Sequence, residues 1–170
     1  MTRTIQAQND LAAGIQPADL RESLGADLLL KLALDAVQAL EPSKLDAAVS
    51  GDSRTRPQMM LTLLPYCYAG RIYGSREIEW ATRNDKTAHY ICAREFPDSR
   101  AIRHFRRYNR ELVEQCLSYV LRKGWVLQFD ALEGLWATCT WLGAGLEQRV
   151  AMAAREKIEV AIIMDTAESD

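Results

Sequence analysis

Between Ser99 and Arg122 the apolar residues recur at the spacing of a 3.6-residue helix, with Ile102, Phe105, Leu112, Val113 and Cys116 along one side. Arg100, Arg103, Arg107 and Arg110 fall along the other side, at intervals of three, four and three. A segment patterned in this way must pack by one face and present cations on the other. Its start is legible, since Pro97 precedes Asp98, a good N-cap residue. The stretch from Arg94 to Arg110 holds six arginines and one histidine against two acids. Charged helix faces are usually solvated surface, but such faces intersperse glutamates for support along the helix. So little acid here points to an anionic partner. Arginine also suits phosphate and base edges through its planar fork, which makes double-stranded DNA the leading candidate.

The whole-chain charge conceals this division. Of the 170 residues, 1–53 carry four basic and eight acidic side chains, 54–110 carry twelve and five, and 111–170 carry five and ten. The middle third is therefore a module of net +7 between flanks of −4 and −5. For a binding surface this local distribution outweighs the overall −2. A hydrophobic content of 48% suffices for a real core. No window approaches the roughly 18 to 20 apolar residues that span a bilayer. The opening MTRTIQAQNDLAAG lacks the apolar core of a signal peptide, so a cytoplasmic protein with no membrane partner is expected. Cys67, Cys92, Cys116 and Cys139 lie 23 to 25 residues apart and read as free thiols at buried helix positions. With only His89 and His104 beside them, no metal site is expected.

Along the chain, residues 1–22 read as a weakly ordered arm, 23–122 as a helical domain and 123–170 as a C-terminal extension packed on that domain or on a dimer partner. Ala26 to Leu40 reads as a helix with Leu29, Ala33, Val37 and Leu40 in one stripe, closed by Glu41-Pro42. A short helix is expected around Ser43 to Val49, then a loop over 50–57. Pro57 suits the first turn of a helix through Met59, Met60, Leu63, Leu64 and Cys67, with a kink or break at Pro65. Gly74-Ser75 opens a helix through Ile78, Trp80 and Ala81, and a further one covers Lys86 to Cys92. Gly124 reads as the stop of the arginine-bearing helix. Leu146 to Met164 is helical in pattern, with a strand at 160–164 as the alternative. The fold class is all-α: a compact multi-helix domain with a helix-turn-helix-like basic module and a C-terminal helix.

The segments RPQMMLTLLPYCYAGRIYGSREIEWATRNDKTAHYIC (56–92) and FPDSRAIRHFRRYNREL (96–112) carry ordered motifs. They comprise a proline-led apolar helix, a tyrosine-containing turn, a helix opening on Ser75, Arg76, Ile78 and Glu79, and a helix start at Pro97, Asp98, Ile102, Phe105, Arg106 and Arg107. In these features, and in Tyr66, residues 26–117 resemble the N-terminal domain of bacterial insertion-sequence transposases of the DDE type. The resemblance implies a helical module that binds transposon ends. In that family it precedes a ribonuclease-H-like catalytic domain. This chain departs from the pattern at Pro65, where the family has an uninterrupted apolar helix. The likeness fades beyond Leu121, where Phe129-Asp130 only faintly echoes the strand that bears the first catalytic aspartate.

Duplex contact is assigned to Arg100, Arg103, Arg107 and Arg110, with His104 and Arg106 flanking. Ser75 and Arg76 could meet a phosphate at a helix N-terminus. Equally, Ser75 could cap that helix while Arg76 pairs with Glu77 or Glu79. Tyr66, Tyr68 and Tyr73 read as a core corner, and Trp125, Trp136 and Trp141 as core anchors or the cover of a dimer interface. A homodimer would match the two-fold symmetry common among DNA-binding proteins. Catalysis is not expected. Two-metal phosphoryl transfer needs converging carboxylates, and Asp130, Glu133 and Asp165 occupy no recognisable strand framework. The chain shows no Gly-rich phosphate loop, no nucleophile elbow and no metal-spaced histidine pair, so no cofactor is implied. The rival reading is a helical protein-interaction or oligomerisation module, in which the acidic flanks neutralise the arginine face from within.

Overall fold

A computed structural model describes residues 19–49, 55–130 and 142–168. Among them lie nine helices and no strand, so the protein is all-α. They are α1 (Leu20–Leu24), α2 (Ala26–Gln38), α3 (Pro42–Asp46), α4 (Pro57–Ala69), α5 (Ser75–Asn84), α6 (Lys86–Cys92), α7 (Ser99–Tyr108), α8 (Arg110–Asp130) and α9 (Leu142–Ala167).

The centre is α4. Its run from Met59 to Ala69 is apolar on every side, as a helix enclosed by others must be, and each of those residues is buried. It packs against α8, α2 and α6, while α9 lies along α8 and reaches α5. Pro57 stands at its first turn, as its preset φ favours. Pro65 does not break it. The helix continues to Ala69, because a proline deprives one carbonyl of its partner, and the packing around this fully buried segment outweighs a cost of about 3 kcal/mol. Tyr66 and Tyr68 are fully buried, and Tyr73 stacks on Tyr68 with ring centroids 6.2 Å apart, which makes the expected tyrosine corner.

Several starts follow local chemistry. Asp19 caps α1 through the amides of Arg21 and Glu22. Asp85 caps α6 through those of Thr87 and Ala88, at 3.1 and 2.8 Å. Asp98 accepts from the amide of Ala101 at 2.7 Å, so α7 begins where the sequence indicates. Segment 160–164 is helical, within α9. Cys67, Cys92 and Cys116 are free and buried. Burial pushes the Cys92 and Cys116 thiols up to about 12, so they are inert apolar filling. Cys139, Trp136, Trp141, Arg54 and Glu133 lie outside the described residues.

Two boundaries differ from the sequence reading. The expected single helix from Ser99 to Arg122 is divided at Asn109, whose φ of −122° and ψ of 29° leave helical geometry. This buried side chain accepts from the amide of Val49 at 2.8 Å and donates to the Val49 carbonyl at 2.8 Å and the Phe105 carbonyl at 3.0 Å. It ties the segment after α3 to the α7–α8 junction, a long-range demand that no local pattern displays. Gly124 does not end α8, which runs to Asp130 and so passes through the expected boundary at 122/123. A Cβ at Gly124 would lie 2.7 Å from Leu20 Cδ1, so glycine here allows α1 to sit directly on α8.

Asn109→Ala removes the two hydrogen bonds to the Val49 backbone and the one to the Phe105 carbonyl. Each such bond contributes about 0.5–1.5 kcal/mol. Urea denaturation should therefore show a loss of about 2–4 kcal/mol, whereas a change within 0.5 kcal/mol would mean that Asn109 does not hold this junction.

Candidate nucleic-acid interface

Helix α7 is anchored by Ile102 and Phe105, both buried, and by two carboxylates at its start. Asp98 binds one early amide, and Glu79 of α5 accepts from the amide of Ser99 at 2.9 Å. The outward side carries Arg100 and Arg107, both exposed, with Arg103 and His104 half-buried between them. The His104 ring lies against Tyr108, with centroids 4.5 Å apart. Arg94, Arg100 and Arg107 have no side-chain partner among the described residues.

The remaining candidates are engaged inside the protein. Arg106 is only 5% exposed; it forms an ion pair with Asp165 of α9 and donates to the Tyr68 hydroxyl at 3.2 Å. It is a structural cation and cannot reach a duplex without unfolding. Ser75 is fully buried, its amide 2.7 Å from Asp165 Oδ1 and its hydroxyl 3.3 Å from Arg103 Nη1. The anion that occupies the α5 N-terminus is thus Asp165. Arg76 reaches Glu168 at 3.8 Å rather than either glutamate of its own helix. Arg110 pairs with Glu159 of α9 and stays half-exposed. Helix α9 and the residue that follows it therefore neutralise three arginines of the basic third, an arrangement legible beforehand only as net charge.

The Asp165 cluster is charge-balanced and almost dry. Burial alone would raise the Asp165 pKa, but hydrogen bonds from Ser75 and the Arg106 guanidinium outweigh it and lower the carboxylate below its usual range. Burial likewise works to lower the Arg106 pKa, while Tyr68 and Asp165 raise it. The Tyr68 hydroxyl is pushed up to about 12 by burial, so it remains a neutral acceptor for Arg106.

A second feature adjoins the α7 face. An open cleft of about 850 Å³ runs between the end of α5, the α6–α7 connection and the first turns of α7. Arg83, Arg94, Arg100 and His104 line it, together with Phe96 and Pro97. Sequence reasoning assigned no role to Arg83, Arg94 or Phe96, because only the tertiary fold brings them beside Arg100. Residue 94 has a φ of 75°, a left-handed conformation that follows another at Ala93, and sequence offers no signal for it. Trp80, on the same helix α5, is 64% exposed. Ile78, Ala81 and Thr82 hold the inner face, and Trp80 stands outside with Arg76 and Arg83, at i, i+4 and i+7.

Among the described residues, no group of three or more histidine, cysteine or carboxylate side chains could hold a metal ion, and no helix is long and apolar enough to cross a membrane. Comparison with protein-family models, curated proteins and solved structures returns no match.

The Asp165 cluster has a defined pH signature. A carboxylate whose pKa falls on folding contributes stability above its unfolded value near 3.8, and loses it as pH drops through the folded value. Asp165→Asn leaves Arg106 buried without a counter-charge, which costs about 3–5 kcal/mol. Thermal melts at pH 7 should show that deficit, narrowing below the unfolded value as wild type loses the same charge. A deficit that is constant from pH 7 to pH 2 would deny Asp165 its ionised role.

Proposed function

We propose that this protein is a non-catalytic, cytoplasmic DNA-binding module similar to the end-binding domain of an insertion-sequence transposase, and that it holds duplex DNA on the outer face of α7. The observation that carries this reading is the exposed state of Arg100 and Arg107, without a partner among the described residues, beside a half-buried Arg103, on a helix whose opposite face is locked into the core. An unpaired guanidinium on a rigid helix suits phosphate, because its planar fork needs no reorganisation to form two hydrogen bonds. Arg110 joins this face when its exposed Glu159 contact yields to phosphate, and His104 flanks it. A homodimer would place two such faces on a two-fold axis and read paired half-sites. Such a protein would act as a regulator or as a competitor of a complete transposase at transposon ends.

One observation favours the second reading, a helical protein-interaction module. Glu159 and Asp165 of α9, and Glu168 just after it, already meet Arg110, Arg106 and Arg76, so part of the basic third is neutralised from within. Light scattering separates the two readings: a large, salt-insensitive oligomer without DNA affinity supports interaction, and a monomer or dimer that binds DNA supports the first.

Fluorescence anisotropy with duplex transposon terminal repeats and a scrambled control tests the DNA reading directly. Affinity should fall steeply with salt, with a slope of about −0.9 per phosphate contact. The double variant Arg103→Ala/Arg107→Ala should reduce that slope by roughly two contacts' worth. Unchanged affinity and slope in the double variant would remove α7 from the binding mechanism.

A further inference from the structure

We infer that the cleft beside α7 is a binding site for a nucleoside monophosphate unit, in which Arg94 and Arg100 hold the phosphate and the wall formed by Phe96, Pro97 and Ala101 receives the body of the nucleotide. The site shares Arg100 and His104 with the proposed duplex-binding face and so rests on that reading of an anionic nucleic-acid partner, but extends beyond it, since Arg94 lies on the α6–α7 connection and off α7 altogether.

Charge comes first. The cleft holds two acids among its lining residues, and both are already engaged. Glu95 pairs with Arg56 at 3.0 Å, and Asp98 accepts the Ala101 amide as the α7 cap. Neither carboxylate forms an ion pair with Arg94 or Arg100, which have no partner among the described residues. Arg83 adds a third guanidinium, held loosely at 4.0 Å from Glu79 and lying over the Phe96 ring at 6.0 Å, and the half-buried His104 adds an imidazole. Three guanidiniums against two carboxylates leave the lining net positive, and a concave wall focuses that potential.

Size and lining then narrow the ligand. At about 850 Å³ the cleft falls within the range of roughly 300–1,000 Å³ that encloses small organic ligands and far exceeds what a bare phosphate needs. Pro97 is buried and Phe96 half-buried, with the His89 ring 4.9 Å behind it, so the apolar wall is rigid. A phosphate monoester on a flat, weakly polar body satisfies both halves. The backbone agrees: glycine is the residue best suited to a φ of 75°, yet the chain carries an arginine there with its side chain exposed beside the cleft.

That geometry supplies a clean variant. Arg94→Gly removes the guanidinium while relaxing the backbone, so a loss of binding cannot be ascribed to unfolding. Isothermal titration at low salt should show adenosine 5′-monophosphate binding at least about tenfold more tightly than adenosine. Arg94→Gly should weaken that binding by roughly tenfold or more with no fall in melting temperature. Lys31→Ala, which removes one positive charge from α2, should leave it unchanged. Single-stranded oligonucleotides ending in a 5′-phosphate or a 5′-hydroxyl identify the source of the ligand. A preference for the phosphorylated end assigns the site to strand termini, and equal binding assigns it to free nucleotide. Equal affinity for adenosine and its monophosphate, or wild-type affinity in Arg94→Gly, would overturn the assignment.

Discussion

The arrangement of the second half of this fold depends on one carboxylate. Asp165 of α9 is 4% exposed and meets the first amide of α5 and the guanidinium of Arg106 on α7, which in turn donates to Tyr68 on α4. Four helices converge on it. A buried charge is tolerated only when its lone pairs are met, and here the Ser75 amide and hydroxyl and the Arg106 guanidinium meet them. If any one is removed, a charge is left in a low-dielectric interior. The helices that carry the basic face are therefore positioned by electrostatic satisfaction as well as by apolar packing.

The same device recurs at the helix starts. Glu79 of α5 accepts the first amide of α7, and Asp165 of α9 accepts the first amide of α5. Because those helix ends are occupied by carboxylates from elsewhere in the chain, backbone amides are not the means by which this surface would meet an anion. The open cationic groups are side chains: Arg100 and Arg107 on the outer face of α7, and Arg94 at the cleft. A charge-dense segment is thus sorted by folding into cations that build the interior and cations that remain outside.

Much of the fold was legible because it depends on short-range rules. Helical periodicity, Pro57 at a first turn, and Asp98 as a cap placed α2, α4 and the start of α7 without tertiary information. The errors share another cause. Asn109 breaks the arginine helix to bind Val49, sixty residues away. Gly124, which resembles a stop, is a point of close approach for Leu20. Pro65, where a break was one of the two expectations, stays inside α4, carried by burial on all sides. In each case a distant contact outweighs a local preference worth about 1–3 kcal/mol.

The candidate site divides in the same way. The sequence by itself determined that α7 is amphipathic, that its outward side carries arginines, and that the protein is all-α, because periodicity and capping are properties of consecutive residues. Only the tertiary structure decided which arginines stay outside. Arg106, read as a flanking cation, became the buried partner of Asp165, Ser75 turned to Arg103 of α7, and Arg76 turned to Glu168 just after α9. Arg94, Arg83 and Phe96 met Arg100 in one cleft. Charge acts through space, and no reading along the chain specifies which distant carboxylate a given guanidinium will meet.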